Sequence, residues 1–119
     1  MAADIKDHWQ NFIGGAWVEG SGGDTIAVEN PASGQQIATI ARAREADVDA
    51  AVAAARQVFE SRELVDMRPS ARGQMMLDVA RNLTEMADDI ATAECLDNGK
   101  TMAGGKNEAL AAARYFTYY

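Results

Sequence analysis

Asn30-Pro31-Ala32-Ser33-Gly34 stands between Thr25-Ile26-Ala27-Val28-Glu29 and Gln35-Gln36-Ile37-Ala38-Thr39-Ile40, and its reading decides the fold. Both flanks are rich in β-branched residues. Pro31 pre-sets one turn dihedral, and Gly34 supplies a residue that tolerates positive φ. The stretch therefore predicts a β-hairpin. Upstream, Phe12-Ile13-Gly14-Gly15-Ala16-Trp17 places a glycine pair between apolar residues, which predicts a two-residue reversal. Ser21-Gly22-Gly23-Asp24 is a turn cluster between the two signals. Residues 12–40 thus read as two hairpins, and the polar residues 1–10 as a flexible arm.

From Arg44 the hydrophobic period changes. Val48, Val52, Ala55 and Phe59 recur at helical spacing, and Glu45, Asp47 and Asp49 crowd the first turn, where the helix dipole favours them. Arg44 occupies the cap position, where Ser, Thr or Asp is usual. Residues 60–68 are charged and read as a linker. Pro69 opens a second helical pattern at a position where its missing N–H costs nothing. Met76, Ala80, Leu83, Ala87 and Ile90 form its inner face, with a break expected near Asp88 and a stop at Asn98-Gly99. A third pattern is expected to start near Gly105 or Lys106, carries Leu110, Ala113 and Phe116, and is still running at Tyr119. No Gly, Asn or Pro closes it, which reads as a helix cut short. Residues 44–119 are therefore helical.

A chain of 119 residues holds one domain at most. Apolar residues make up 48% of it, but many are alanine, which favours helix and buries little area. The net charge of −7 argues against a nucleic-acid or anionic-membrane surface, both of which need clustered Lys and Arg. One cysteine excludes an internal disulfide and a Cys-based metal cluster. The first residues show no basic segment followed by an apolar one, and no apolar run is long enough to span a membrane. These features predict a cytoplasmic protein.

Four stretches in this order resemble the N-terminal quarter of the aldehyde dehydrogenase superfamily. Phe12-Ile13-Gly14-Gly15-Ala16-Trp17 is similar to the family's opening strand pair, and Asn30-Pro31-Ala32-Ser33-Gly34 to its Asn-Pro-x-[Ser/Thr]-Gly turn. Asp47-Val48-Asp49-Ala50-Ala51-Val52, leading to Ala54-Ala55-Arg56 and Phe59, resembles its first helix. Glu94-Cys95-Leu96-Asp97-Asn98-Gly99-Lys100 resembles its Glu-x-x-x-x-Gly-Lys element. The chain departs from the pattern at Glu60-Ser61-Arg62, where Trp is usual, and at Thr101, where Pro is usual.

The resemblance implies an α/β fold: N-terminal β-hairpins plus three or more helices, forming the leading part of a Rossmann-like cofactor-binding domain that is incomplete on its own. It implies a subunit that oxidises a small-molecule aldehyde to a carboxylic acid with NAD or NADP and works as a homo-oligomer. In the family a cysteine thiolate attacks the aldehyde, hydride passes to the nicotinamide, and a glutamate activates water. Those groups, and the turn that meets the cofactor phosphates, lie downstream of this segment, so no catalytic and no cofactor-binding residue is assigned here. The expected partner is the remainder of a subunit.

The local candidates agree with that division. Cys95 is flanked by Glu94 and Asp97, whose charges disfavour a thiolate, so it reads as a small structural hydrophobe. His8, the only histidine, reads as a solvated side chain. Gly104-Gly105-Lys106 lacks the preceding strand and the spacing of a phosphate loop. Tyr115, Phe116, Tyr118 and Tyr119 have only Arg114 nearby, so packing is preferred to base stacking.

Asp97 stands apart, because a carboxylate at a helix C-terminus adds to the negative end of the dipole unless a cation joins it. Carbonyls plus a carboxylate suit a hard cation. A salt bridge to Lys100, or simple hydration, serves equally well on the residues alone. The resemblance implies a structural sodium or potassium ion at this aspartate, with the carbonyls of Val28 and Glu29 and one from a later residue as further ligands. Against the enzyme-segment reading stands a non-catalytic binding or assembly module derived from the same fold.

Overall fold

The computed structural model describes residues 6–119. The elements in order are β1 (His8–Trp9), β2 (Asn11–Ile13), β3 (Ala16–Val18), β4 (Thr25–Glu29), β5 (Gln36–Ala41), α1 (Glu45–Ser61), α2 (Glu63–Asp66), α3 (Pro69–Glu85), α4 (Ala87–Asn98) and α5 (Met102–Tyr118). They fall into two compact units. One holds Lys6–Glu29 with Gln36–Asp66, and the other holds Asn30–Gln35 with Met67–Tyr119.

In the sheet-bearing unit, β2 and β3 pair antiparallel with Asn11 opposite Val18 and Ile13 opposite Ala16. Gly14 (φ 60°) and Gly15 (φ 84°) both take positive φ, as the two-residue turn requires. Phe12 faces Trp17 across this hairpin with ring centroids 5.0 Å apart. β4 and β5 form the second expected hairpin, with a bulge where Val28 pairs with Ala38 and Glu29 with Gln36. The flexible arm expected over residues 1–10 needs correction at its end. His8 and Trp9 run parallel to β5 opposite Thr39 and Ile40, and the Thr39 N–H donates to the Asp7 carbonyl at 2.9 Å. The isolated polar pattern concealed a strand that exists only because β5 offers a free edge. Residues 1–5 lie outside the described residues.

Gly20 is buried, and a Cβ there would collide with the Arg42 carbonyl oxygen, so the chain can pass that point only without a side chain. α1 begins at Arg44 in extended conformation. Arg44 has no side-chain acceptor and cannot cap the helix itself. Its guanidinium pairs with Asp24, while its N–H donates to Asp47 Oδ2 at 2.7 Å. The expected apolar face of α1 is present but uncovered here: Val48 is 54%, Val52 59% and Phe59 69% exposed. The charged stretch 60–68, expected as a plain linker, carries the single turn α2 after Arg62 ends α1 at φ 62°.

In the helical unit Pro69 sits in the first turn of α3, as expected. The break between α3 and α4 falls at Met86, two residues before Asp88, and Gly99 (φ 75°) ends α4. α5 begins earlier than Gly105. Thr101 is its N-cap and accepts from the Gly104 N–H at 3.2 Å, so Gly104 and Gly105 lie inside the first helical turns. α5 packs on both α3 and α4. Where it crosses α4, a Cβ on Gly105 would come within 3.0 Å of Ala91 Cα. Ala80, Ala87, Ala91, Ala109 and Ala113 are buried, as Ala38 and Ala41 are in β5. Every buried apolar residue among those described is thus alanine, which keeps backbones close and buried area small. The turn Asn30–Gln35 belongs to this unit. Asn30 Oδ1 accepts from the Ala32 N–H at 2.9 Å, the Asn30 carbonyl accepts from Gly34 N–H at 2.7 Å, and Gly34 has φ 67°.

Candidate functional site

The end of α4 concentrates the polar chemistry of the helical unit. Lys100 Nζ lies 2.9 Å from Glu94 Oε2 and 2.6 Å from Glu108 Oε2. Asn98 Nδ2 donates to Glu94 Oε2 at 2.7 Å, and the Lys100 N–H donates to Asn98 Oδ1 at 3.2 Å. The Asn98 amide, and then Lys100, hold the Glu94 carboxyl below the usual carboxylate range. Glu108 first and Glu94 second push the Lys100 ammonium up. Lys100 therefore joins α4 to α5 and does not form the salt bridge with Asp97 that the sequence left open. Asp97 is exposed, and among the described residues it enters no ion pair. Gly99 closes this end against the Asn30–Gln35 turn, where a Cβ on it would lie 3.2 Å from Pro31 Cγ.

Cys95 lies on the same helix, half-buried, on the turn before Gly99. Its sequence neighbours Glu94, Leu96 and Asp97 are two carboxylates and an apolar residue, which suits a structural role. Gly104-Gly105-Lys106 is no phosphate cradle, because the Gly104 and Gly105 N–H groups are already bonded to Thr101 Oγ1 and Thr101 O. Lys106 pairs instead with Asp88 at 2.7 Å. Of the aromatic residues at the end of α5, Phe116 is half-buried while Tyr115, Tyr118 and Tyr119 are exposed.

In the sheet-bearing unit, Val28 and Glu29 end β4 at its bulge. His8 is more engaged than a solvated side chain, with Nδ1 2.8 Å from Thr39 Oγ1 and Nε2 3.0 Å from Glu19 Oε2. The same bond from His8, with a further one from Gln10, draws Glu19 below the usual carboxylate range. The residue that sequence reasoning undervalued is Asp47. Read as a dipole-favoured acid, it is buried and accepts from the Arg44 N–H, the Ser21 N–H and the Ser21 hydroxyl. Those bonds, the Arg44 N–H foremost, lower its pKa. The signal was local: an acid three residues after an extended cap can reach back to the cap N–H.

Among the described residues no three His, Cys, Asp or Glu side chains are grouped to hold a metal, and no helix is long and apolar enough to cross a membrane. The family model of the aldehyde dehydrogenase family matches residues 17–119, and the chain belongs to that family. It is 42% identical over 96 residues to an aldehyde dehydrogenase of Agaricus bisporus, covering 81% of this chain and 19% of that protein. It is 38% identical over 108 residues to one of Aspergillus niger, covering 91% of this chain and 22% of the relative. Its fold superposes on an NAD-dependent aldehyde dehydrogenase from Sinorhizobium meliloti with a TM-score of 0.89 at 29% identity, over 99% of this chain and 25% of that one. Betaine aldehyde dehydrogenase from Staphylococcus aureus, solved in complex with NAD+, gives a TM-score of 0.88 at 29% identity, over 92% and 22%. The chain therefore spans about a fifth to a quarter of the length of these four relatives and represents the N-terminal part of their fold.

Proposed function

We propose that this segment is the leading part of an NAD(P)-dependent aldehyde dehydrogenase that converts a small-molecule aldehyde to a carboxylic acid. The observation that carries the reading is the superposition on an NAD-dependent aldehyde dehydrogenase over 99% of this chain, beside the family-model match over residues 17–119. The subunit would act in the cytoplasm as a homo-oligomer, its NAD or NADP held mainly by residues outside this segment. The dinucleotide accepts the hydride when bound. This chain's own contribution is a scaffold: the hairpins and the alanine-packed helices flank the cofactor-binding sheet, and they supply neither nucleophile nor base. Co-expression with the remaining portion of a relative's subunit tests this. Recovered NAD- or NADP-dependent aldehyde oxidation is expected, and a partner portion fully active without this chain would contradict it.

The same reading assigns Asp97, with the carbonyls of Val28 and Glu29, to a sodium or potassium ion. The donor chemistry fits a hard cation of low charge, one carboxylate among carbonyls. Asp97 is exposed at the negative end of α4 and is neutralised by no Lys or Arg among the described residues.

A further inference from the structure

We propose that Asn98–Gly99 is a site of spontaneous deamidation, and that the folded end of α4 favours the reaction. The chain has five asparagines, followed by Phe12, Pro31, Leu83, Gly99 and Glu108, so Asn98 alone precedes glycine. Glycine leaves the attacking backbone nitrogen unshielded by a Cβ. Asn98 is also exposed, at the last position of α4.

The geometry adds to the sequence. The residues that end the other long helices, Arg62, Met86 and Tyr119, each bond their N–H back to a helix carbonyl. Among the described residues no such bond ties down the Gly99 N–H. The electrophile is held and polarised: the Lys100 N–H donates to Asn98 Oδ1 at 3.2 Å, where negative charge develops during attack. The leaving nitrogen is held as well, since Asn98 Nδ2 lies 2.7 Å from Glu94 Oε2, which is itself 2.9 Å from the Lys100 ammonium.

The Gly99 backbone nitrogen bonds to Asn98 Cγ, and the Cγ–Nδ2 bond breaks. The nitrogen leaves as ammonia, carrying the proton that Gly99 loses, and a five-membered succinimide remains. Water then opens either carbonyl of that ring, giving aspartate or isoaspartate at position 98. The net change is gain of water and loss of ammonia. The product replaces the amide that stabilises ionised Glu94 with a third carboxylate beside Glu94 and Asp97, at the negative end of the helix. The isoaspartyl product also lengthens the backbone where Gly99 meets Pro31.

The test is peptide mapping of the full 119-residue chain during incubation in mildly alkaline, ammonium-free buffer at body temperature. A mass gain of about one dalton should accumulate at Asn98, split between two isomers, while Asn82 and Asn107 stay unchanged. Gly99→Ala should suppress it. Because that variant strains a positive-φ position, a synthetic peptide of residues 95–101 serves as an independent reference: the folded chain should react at least as fast. Reaction at Asn98 no faster than at Asn107, or slower in the folded chain than in the peptide, would overturn the proposal.

Discussion

Ser21 holds Asp47 twice over: its backbone N–H lies 3.1 and 3.0 Å from the two carboxylate oxygens, and its hydroxyl lies 3.0 Å from Oδ2. The Arg44 N–H completes the set at 2.7 Å. One side chain thus fixes the turn before β4 to the first turn of α1, and its ionised form is the stronger acceptor for these bonds. The folded-state pKa is depressed, so this stability is present above the ordinary carboxylate value and is lost as pH falls through the lowered one. Asp47→Asn should lower the melting temperature at neutral pH and flatten its acid limb, whereas Asp49→Asn should do neither. Thermal melts of the three proteins from neutral to acidic pH check this. Parallel acid limbs would remove Asp47 as the cause.

Two of the helical glycines, Gly73 and Gly105, separate propensity from packing. Nothing lies within 4 Å of a Cβ on Gly73, so Gly73→Ala should stabilise by about 0.5 to 1 kcal/mol. Gly105→Ala drives a methyl to 3.0 Å from Ala91 Cα and should cost about 1 to 3 kcal/mol by forcing α4 and α5 apart. Urea midpoints at equal slope give both values.

The uncovered face of α1 should make the isolated chain bind apolar dyes and associate. Val52→Lys with Phe59→Lys, both more than half exposed, should lower dye fluorescence and sedimentation-detected association without lowering the melting temperature. A loss of stability equal to that of a core substitution would show that this face is packed in the free chain.

In the complete enzyme, potassium or sodium should raise the melting temperature above that in a bulky organic cation at matched ionic strength, and Asp97→Ala should abolish the difference. Equal melting temperatures in the unaltered enzyme count against an ion at Asp97.

Local chemistry was legible in the sequence wherever one residue decides a conformation. Gly14-Gly15, Pro31 with Gly34, Pro69 and Gly99 all stand where turn and cap rules put them. What stayed hidden depends on partners distant in the chain. β1 is defined by β5 and not by its own polar sequence. The start of α5 was displaced because two glycines look like a loop, yet Thr101 caps them and Ala91 requires one of them. At the candidate site the sequence placed Asp97 at a helix end but did not reveal that Lys100 turns to Glu94 and Glu108 instead. Asp47 was visible as an acid in a first turn, but not as the acceptor for Ser21, which lies 26 residues earlier.

On the function proposed above, the reacting groups of the enzyme lie outside this segment. The most direct measurement is absorbance of reduced cofactor when the purified chain meets NAD or NADP and a panel of aldehydes. No reduction above the protein-free rate is expected. Turnover that survives repurification and disappears in Cys95→Ser would contradict it, and would make the half-buried thiol of α4 a nucleophile.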